Sequence, residues 1–170
     1  MSEPDSQQST GRIETRGPPL PKPVFEYLVN PLLKLLLRSP LHGLLSDTLL
    51  LLTFTGRKSG TQYTTPVAYE ELNGDLYVTS QTDRVWWKNL RGGAPVTVRL
   101  RGERRDATAT VIEDDEAVAE YVRGFIDRHG LDKVSRLAIA IEGERVPSVE
   151  ELAAGLGDTV VVRIELEEER

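Results

Sequence analysis

Two adjacent cations stand in a short glycine-flanked stretch, Gly56-Arg57-Lys58-Ser59-Gly60, between an apolar run, "LLLLTFT", and a threonine-rich run, "TQYTTP". Glycines let backbone N–H groups approach a ligand closely, while arginine offers a planar two-pronged donor and lysine a compact charge. Such a turn suits an anion. Two other readings stand beside this one: a solvated hairpin turn that displays charge, and a nucleotide phosphate loop. The phosphate loop fails on spacing, being shorter than G-x-x-x-x-G-K-[ST]. It also fails on context, because the stretch leads into a strand and not into a helix N-terminus. The two tryptophans of the chain, Trp86 and Trp87, are adjacent. On a helix, neighbouring side chains point about 100° apart, so one is expected to pack inward and the other to border a cleft. Asn89 lies three residues beyond Trp86 and shares its face. A flat apolar ring beside an amide, near a cationic turn, is what a planar ligand with an anionic tail requires.

Other chemistries find little support. The absence of cysteine excludes disulfides, thiol catalysis and thiolate metal sites, and suits an intracellular protein. His42 and His129 are far apart in sequence, with no carboxylate at a ligand spacing, so a metal site is not expected. Glu70, Glu71, Asp114 and Asp115 read as solvated charges. No Ser–His–Asp set stands out. A net charge of −6 and a pI near 5.1 argue against nucleic acid, whose binders carry clustered basic surface.

These side chains need a frame to hold them. Strands are expected near residues 48–55, 62–70, 75–81, 95–102, 105–112 and 158–167, with hairpin turns at "NGD" (73–75) and "RGER" (101–104). A short helix over 83–93, capped by Asp83 and ended by Gly92, carries the tryptophans. The stretch 114–130 is the clearest helix. It has an acidic first turn, an apolar face of Val118, Tyr121, Val122, Phe125 and Ile126, and Gly130 as C-cap. Ser148 and Glu151 stand at capping-box spacing, and 131–144 reads as a helix followed by a turn. Residues 1–19 are polar and expected to be a loose tail, leaving 20–170 as one domain. In the apolar segment 24–45, Glu26, Asn30, Lys34 and Arg38 form one polar stripe, with Asn30–Pro31 as a helix start. That helix is expected to lie on the core, at a membrane surface or at an oligomer interface. Six short strands with hairpin links and peripheral helices predict an α+β fold built on a small antiparallel β-barrel.

The combination "TFTGRKSGTQYTTP", "LYVTSQ" and "VWWKNLRGGAPVTV" resembles the deazaflavin-dependent nitroreductase family, over roughly residues 24–112 and the final strand. The resemblance implies a six-stranded split β-barrel and an oxidoreductase using reduced coenzyme F-420, a deazaflavin. Its acceptor would be a quinone, a nitroaromatic or a similar compound. It also implies that Arg57, Lys58, Ser59 and Gly60 hold the coenzyme's phosphate and acidic tail. Thr53, on the strand leading into that turn, would join the same site. Thr79 and Ser80 would lie along the ring, and Trp86 and Asn89 would close the pocket. The hydride comes from the ring, so no side chain is named as catalytic. In several members an apolar N-terminal helix helps the enzyme sit on membranes and meet lipid quinones, which implies a cytoplasmic protein with contact at the inner membrane face through 24–45. Homodimers are common among such barrels. The family's best-known nitroreductase has an arginine at the position of Tyr63 and a lysine at that of Gln81, so FMN stands as the alternative cofactor. A non-enzymatic barrel carrying a tetrapyrrole or a fatty acid is the reading from another class.

Overall fold

The computed structural model describes residues 12–15, 30–40, 43 and 47–168. Its strands are β1 (Ile13–Thr15), β2 (Leu49–Thr55), β3 (Gln62–Ala68), β4 (Glu70–Leu72), β5 (Asp75–Gln81), β6 (Ala94–Leu100), β7 (Glu103–Ile112), β8 (Ile139–Ile141) and β9 (Thr159–Leu166). The helices are α1 (Asn30–Arg38), α2 (Asp115–His129) and α3 (Val149–Gly155), with 3-10 helices at Trp86–Leu90 and Leu131–Leu137. Seven strands form one sheet in the order β3-β2-β6-β7-β9-β5-β4, and every neighbouring pair is antiparallel.

The way the sheet curls follows from its two edges. β3 and β4 lie at opposite edges, yet only Tyr69 separates them in the chain. One residue spans only a few ångströms, so the edges must approach each other and the sheet rolls into a half-barrel. Six strands were expected in the barrel and seven form its sheet, because the stretch 62–70 does not stay one strand. It breaks at Tyr69, whose N–H donates to the carbonyl of Thr48 at 3.2 Å, and β4 begins at Glu70 opposite Tyr77. Both predicted hairpins are built as the turn chemistry demands. Asn73 and Gly74 have φ of 55° and 87°, and Arg101 and Gly102 have 48° and 85°, the paired left-handed conformation that matches strand twist.

Side-chain alternation divides the core. Leu50, Leu52 and Phe54 of β2, Val96 and Val98 of β6, Leu76 and Val78 of β5, and Val160, Val162 and Ile164 of β9 fill the barrel with Trp87 and Leu90. On the far side of β9, Val161 packs with Val118, Val122, Phe125 and Ile126 of α2 and Leu152 of α3. β9 is thus buried on both faces, which explains its unbroken run "VVV". α2 matches its expected signals: Asp114 accepts from the N–H of Ala117 at 2.9 Å, and the N–H of Gly130 reaches the Ile126 carbonyl at 2.7 Å. Ser148 and Glu151 form the expected capping box at α3.

Three local expectations need correction. Ile13–Thr15, inside the stretch expected to be a loose tail, pairs with Ile139–Ile141, a strand where a turn was expected. The short tryptophan helix is a 3-10 helix over Trp86–Leu90, preceded by Val85 without a side-chain cap, so Asp83 does not cap it. Glu70 is not solvated. It is 9% exposed, and it accepts from Tyr121 Oη at 2.6 Å and Arg128 at 3.3 Å, with His129 Nε2 at 2.8 Å. Alternation in β4 turns Glu70 with Tyr77 toward α2, and a carboxylate there is tolerable only when hydrogen-bonded and paired. Burial and the Glu70 hydrogen bond push the Tyr121 hydroxyl above its ordinary range.

Of the segment 24–45, α1 is described with Ser39, Pro40 and Gly43, and the rest lies outside the described residues, as do 1–11 and 16–19. Leu37 is buried where α1 packs on β2 and β3, whereas Leu32 and Leu35 are 65% and 68% exposed. Among the described residues no helix is long and apolar enough to cross a membrane.

Candidate functional site

The turn between β2 and β3 is closed from within. The N–H of Gly56 donates to the Thr61 carbonyl at 2.7 Å, and Gly60, with φ of 67°, donates its N–H back to the Gly56 carbonyl at 2.8 Å. Ser59 Oγ accepts from the N–H of Thr61 at 3.2 Å. Arg57 and Lys58 project from this turn into solvent. Among the described residues neither side chain has a carboxylate within ion-pair distance, while most arginines elsewhere in the fold do.

A second element fastens the turn in place. The N–H of Arg57 donates to Asn89 Oδ1 at 2.9 Å, and Asn89 Nδ2 donates to the Trp86 carbonyl at 3.1 Å. One side-chain amide therefore spans from the cation turn to the tryptophan helix. That helix is tied to the end of β5 in turn, because Trp87 Nε1 donates to the Gln81 carbonyl at 2.9 Å. The cation turn, the tryptophan helix and the end of β5 come together at one end of the barrel.

The adjacent tryptophans separate as the sequence suggests. Trp87 is 2% exposed and packs in the barrel core, with Lys88 and Arg91 over its ring. Glu113 holds Arg91 by a bidentate pair at 2.7 and 3.0 Å, and that hydrogen-bonded pairing keeps the Glu113 carboxyl below the ordinary carboxylate range. Trp86 is half-buried and leans on Phe54, ring centres 6.3 Å apart. Phe54 stacks on Tyr63 at 5.8 Å and 29°. A row of three aromatic rings, Trp86, Phe54 and Tyr63, thus runs beside the cation turn. Tyr63 and Phe54 were not among the expected site residues. Their signal was present, since two positions placed evenly about a hairpin turn face each other across the strands.

The remaining expected residues fall on different faces. Thr53 lies between Leu52 and Phe54, whose side chains point into the barrel, so its own points outward, where its Oγ1 meets Thr64 Oγ1 at 2.9 Å. Thr79 and Ser80 are neighbours on β5 and diverge for the same reason. Ser80 shares the barrel side with Val78, and Thr79 faces the helices with Tyr77, its hydroxyl buried and without a hydrogen-bond partner among the described residues. The structure groups Arg57, Lys58, Ser59, Gly60, Trp86 and Asn89 at one place, brings the end of β5 beside them, and leaves Thr53 and Thr79 with their side chains turned away. A separate open groove of about 500 Å³ lies between β1, the segment 142–147 and α3, and contains none of these residues. Its Arg145 and Glu151 neutralise each other at 2.6 and 3.0 Å.

Comparison with known proteins bears on this arrangement. Several solved structures are similar to the chain. An F420-H2 dependent reductase shares 18% identity, with 71% of this chain and 94% of that one covered and a TM-score of 0.39. The FAD and heme binding protein from Mycobacterium smegmatis shares 20%, over 78% and 73%, with a TM-score of 0.41. The heme storage protein HutZ from Vibrio cholerae shares 15%, over 78% and 92%, with a TM-score of 0.46. No curated protein matches the sequence. All three scores lie below 0.5, so the assignment rests on a family model, that of the F420H(2)-dependent quinone reductase, which matches residues 40–129. That range is more than half of the chain, and it holds the cation turn, the tryptophan helix and the strands that carry them. The chain belongs to the F420H(2)-dependent quinone reductase family.

Proposed function

We propose that this protein is an oxidoreductase that uses reduced coenzyme F-420 to reduce a quinone, a nitroaromatic or a similar acceptor. The observation that carries the reading is the pair Arg57 and Lys58: two adjacent cations on a tethered turn, without carboxylate partners among the described residues, in a chain of net charge −6. A cation pair left uncompensated by an acidic protein is suited to a ligand's anion. Arg57 would grip the coenzyme's phosphate or acidic tail through two parallel N–H donors, and Lys58 would add a point charge beside it. Ser59 and Gly60 would admit the anion close to the turn's backbone. Trp86, with Phe54 and Tyr63, would border the flat ring and exclude water from one side, and Ser80 would lie at its polar edge. Asn89 would hold the turn against the tryptophan helix. When bound, the deazaflavin supplies the hydride, which is why the site needs no nucleophile or metal.

FMN is the second reading, favoured by the neutral side chains of Tyr63 and Gln81 at positions where the family's best-known nitroreductase has cations. The absorbance spectrum of the protein purified from its own host separates the readings. A deazaflavin band is the expected result. A flavin band gives the FMN reading, and a tetrapyrrole band overturns both in favour of a carrier.

A further inference from the structure

Gly56 has no positive φ, so no left-handed backbone calls for glycine there. The requirement for glycine there is spatial. A Cβ at position 56 would sit 2.6 Å from Ser59 Oγ and 2.8 Å from Tyr63 Cε2, closer than side-chain carbons come. The edge of the Tyr63 ring therefore lies against Gly56, the residue that makes both closing hydrogen bonds of the cation turn. Its other contacts run to Phe54, and through Phe54 to Trp86. Tyr63 is 48% exposed, one of the few large apolar side chains so placed, and its hydroxyl is only loosely held, 3.4 Å from Ser59 Oγ.

We propose that Tyr63 is the positioning residue of the cation turn: its ring, wedged between Gly56 and Phe54, fixes where Arg57 and Lys58 stand relative to Trp86. This deepens the coenzyme reading of the same site and rests on it. The exposed half of the ring forms a flat, uncharged wall beside the two cations, so the ligand it suits has an aromatic ring close to its anionic group. The hydroxyl is dispensable, because a 3.4 Å contact with poor reach contributes little.

The test compares wild-type protein with Tyr63→Phe, Tyr63→Ala and Gly56→Ala, each checked for folding by its melting temperature. Two quantities are read: hydrogen exchange of the amides of residues 56–61, which needs no ligand, and the dissociation constant for oxidised coenzyme F-420. Tyr63→Phe should match wild type within about twofold in affinity, because the ring is kept. Tyr63→Ala should speed exchange of the turn amides and weaken coenzyme binding about tenfold, the order of one charge-assisted hydrogen bond lost. Gly56→Ala should also loosen the turn, because its Cβ would displace both Ser59 Oγ and the Tyr63 ring. Unchanged exchange in Tyr63→Ala overturns the proposal, as does a Tyr63→Phe variant as impaired as Tyr63→Ala. Faster exchange with unchanged affinity also overturns it, because the ring would then stiffen the turn without positioning the ligand. If wild-type protein binds no coenzyme, the reading of function fails, and the exchange comparison alone decides whether Tyr63 sets the turn.

Discussion

At the scale of single residues, adjacency proved more informative than chemistry. Two tryptophans side by side cannot share one environment, and that alone predicted one buried ring and one bordering ring. Trp87 is the buried one, with its indole N–H satisfied by the Gln81 carbonyl. Removing such a ring from a packed core costs about 3–5 kcal/mol. Trp87→Ala should therefore lower the melting temperature strongly, with cofactor loss as a consequence. Trp86 is half-buried at the site, so Trp86→Ala should keep most of the stability and weaken cofactor binding. Calorimetry and coenzyme titration of the two variants check this, and exchanged effects would contradict it. Glu70 shows the opposite case. Nothing around "YEELNGD" reveals burial, because its partners Tyr121, Arg128 and His129 come 51 to 59 residues later. Glu70→Ala should cost about 1–3 kcal/mol by stranding three polar partners, whereas the neighbouring, exposed Glu71→Ala should cost less. Denaturant unfolding of the pair provides the comparison.

At the scale of elements, what was legible was whatever local signals specify. The caps of α2 and α3 and the two left-handed hairpin turns all stand where their residues put them. The ribbon between Ile13–Thr15 and Ile139–Ile141 was not legible, since three-residue strands paired across most of the chain leave no periodic pattern. α3 offers a pH test. Hydrogen bonds from Arg145 and from the Ser148 backbone pull the Glu151 carboxyl down from 4.5 to about 2. A carboxyl depressed in the folded state adds stability above its unfolded value and loses that contribution as pH falls through the folded one. The Glu151 contribution should be complete above pH 4.5 and fade toward pH 2. Glu151→Gln should consequently destabilise more at pH 6 than at pH 2, as read by thermal unfolding across that range. Equal losses at both ends would contradict it. The membrane contact expected of 24–45 can be tested on α1, where Leu32 and Leu35 are exposed while Leu37 is buried. Replacing Leu32 and Leu35 by serine should abolish co-sedimentation with liposomes if that face meets lipid. Binding that survives the replacement would locate membrane contact elsewhere.

At the scale of the whole molecule, a barrel-like sheet was foreseeable from short strands joined by hairpins, and the way it curls was not. The curl depends on Tyr69 alone separating the two edge strands, a fact about sheet order that no local pattern encodes. The site inherits this limit. The cations of the turn were visible as residues, but their tether through Asn89 and the ring row behind them exist only once β2, β3 and the tryptophan helix meet at one end of the barrel. Coenzyme binding hinges on those cations, and titration of oxidised coenzyme F-420 against wild-type protein and the Arg57→Ala, Lys58→Ala double variant is the decisive measurement. Hydrogen bonds to charged groups contribute about 1.5–3 kcal/mol each, so the double variant should lose roughly 3 kcal/mol or more of binding while unfolding near the wild-type temperature. A folded double variant that binds the coenzyme as tightly as wild type would contradict the account.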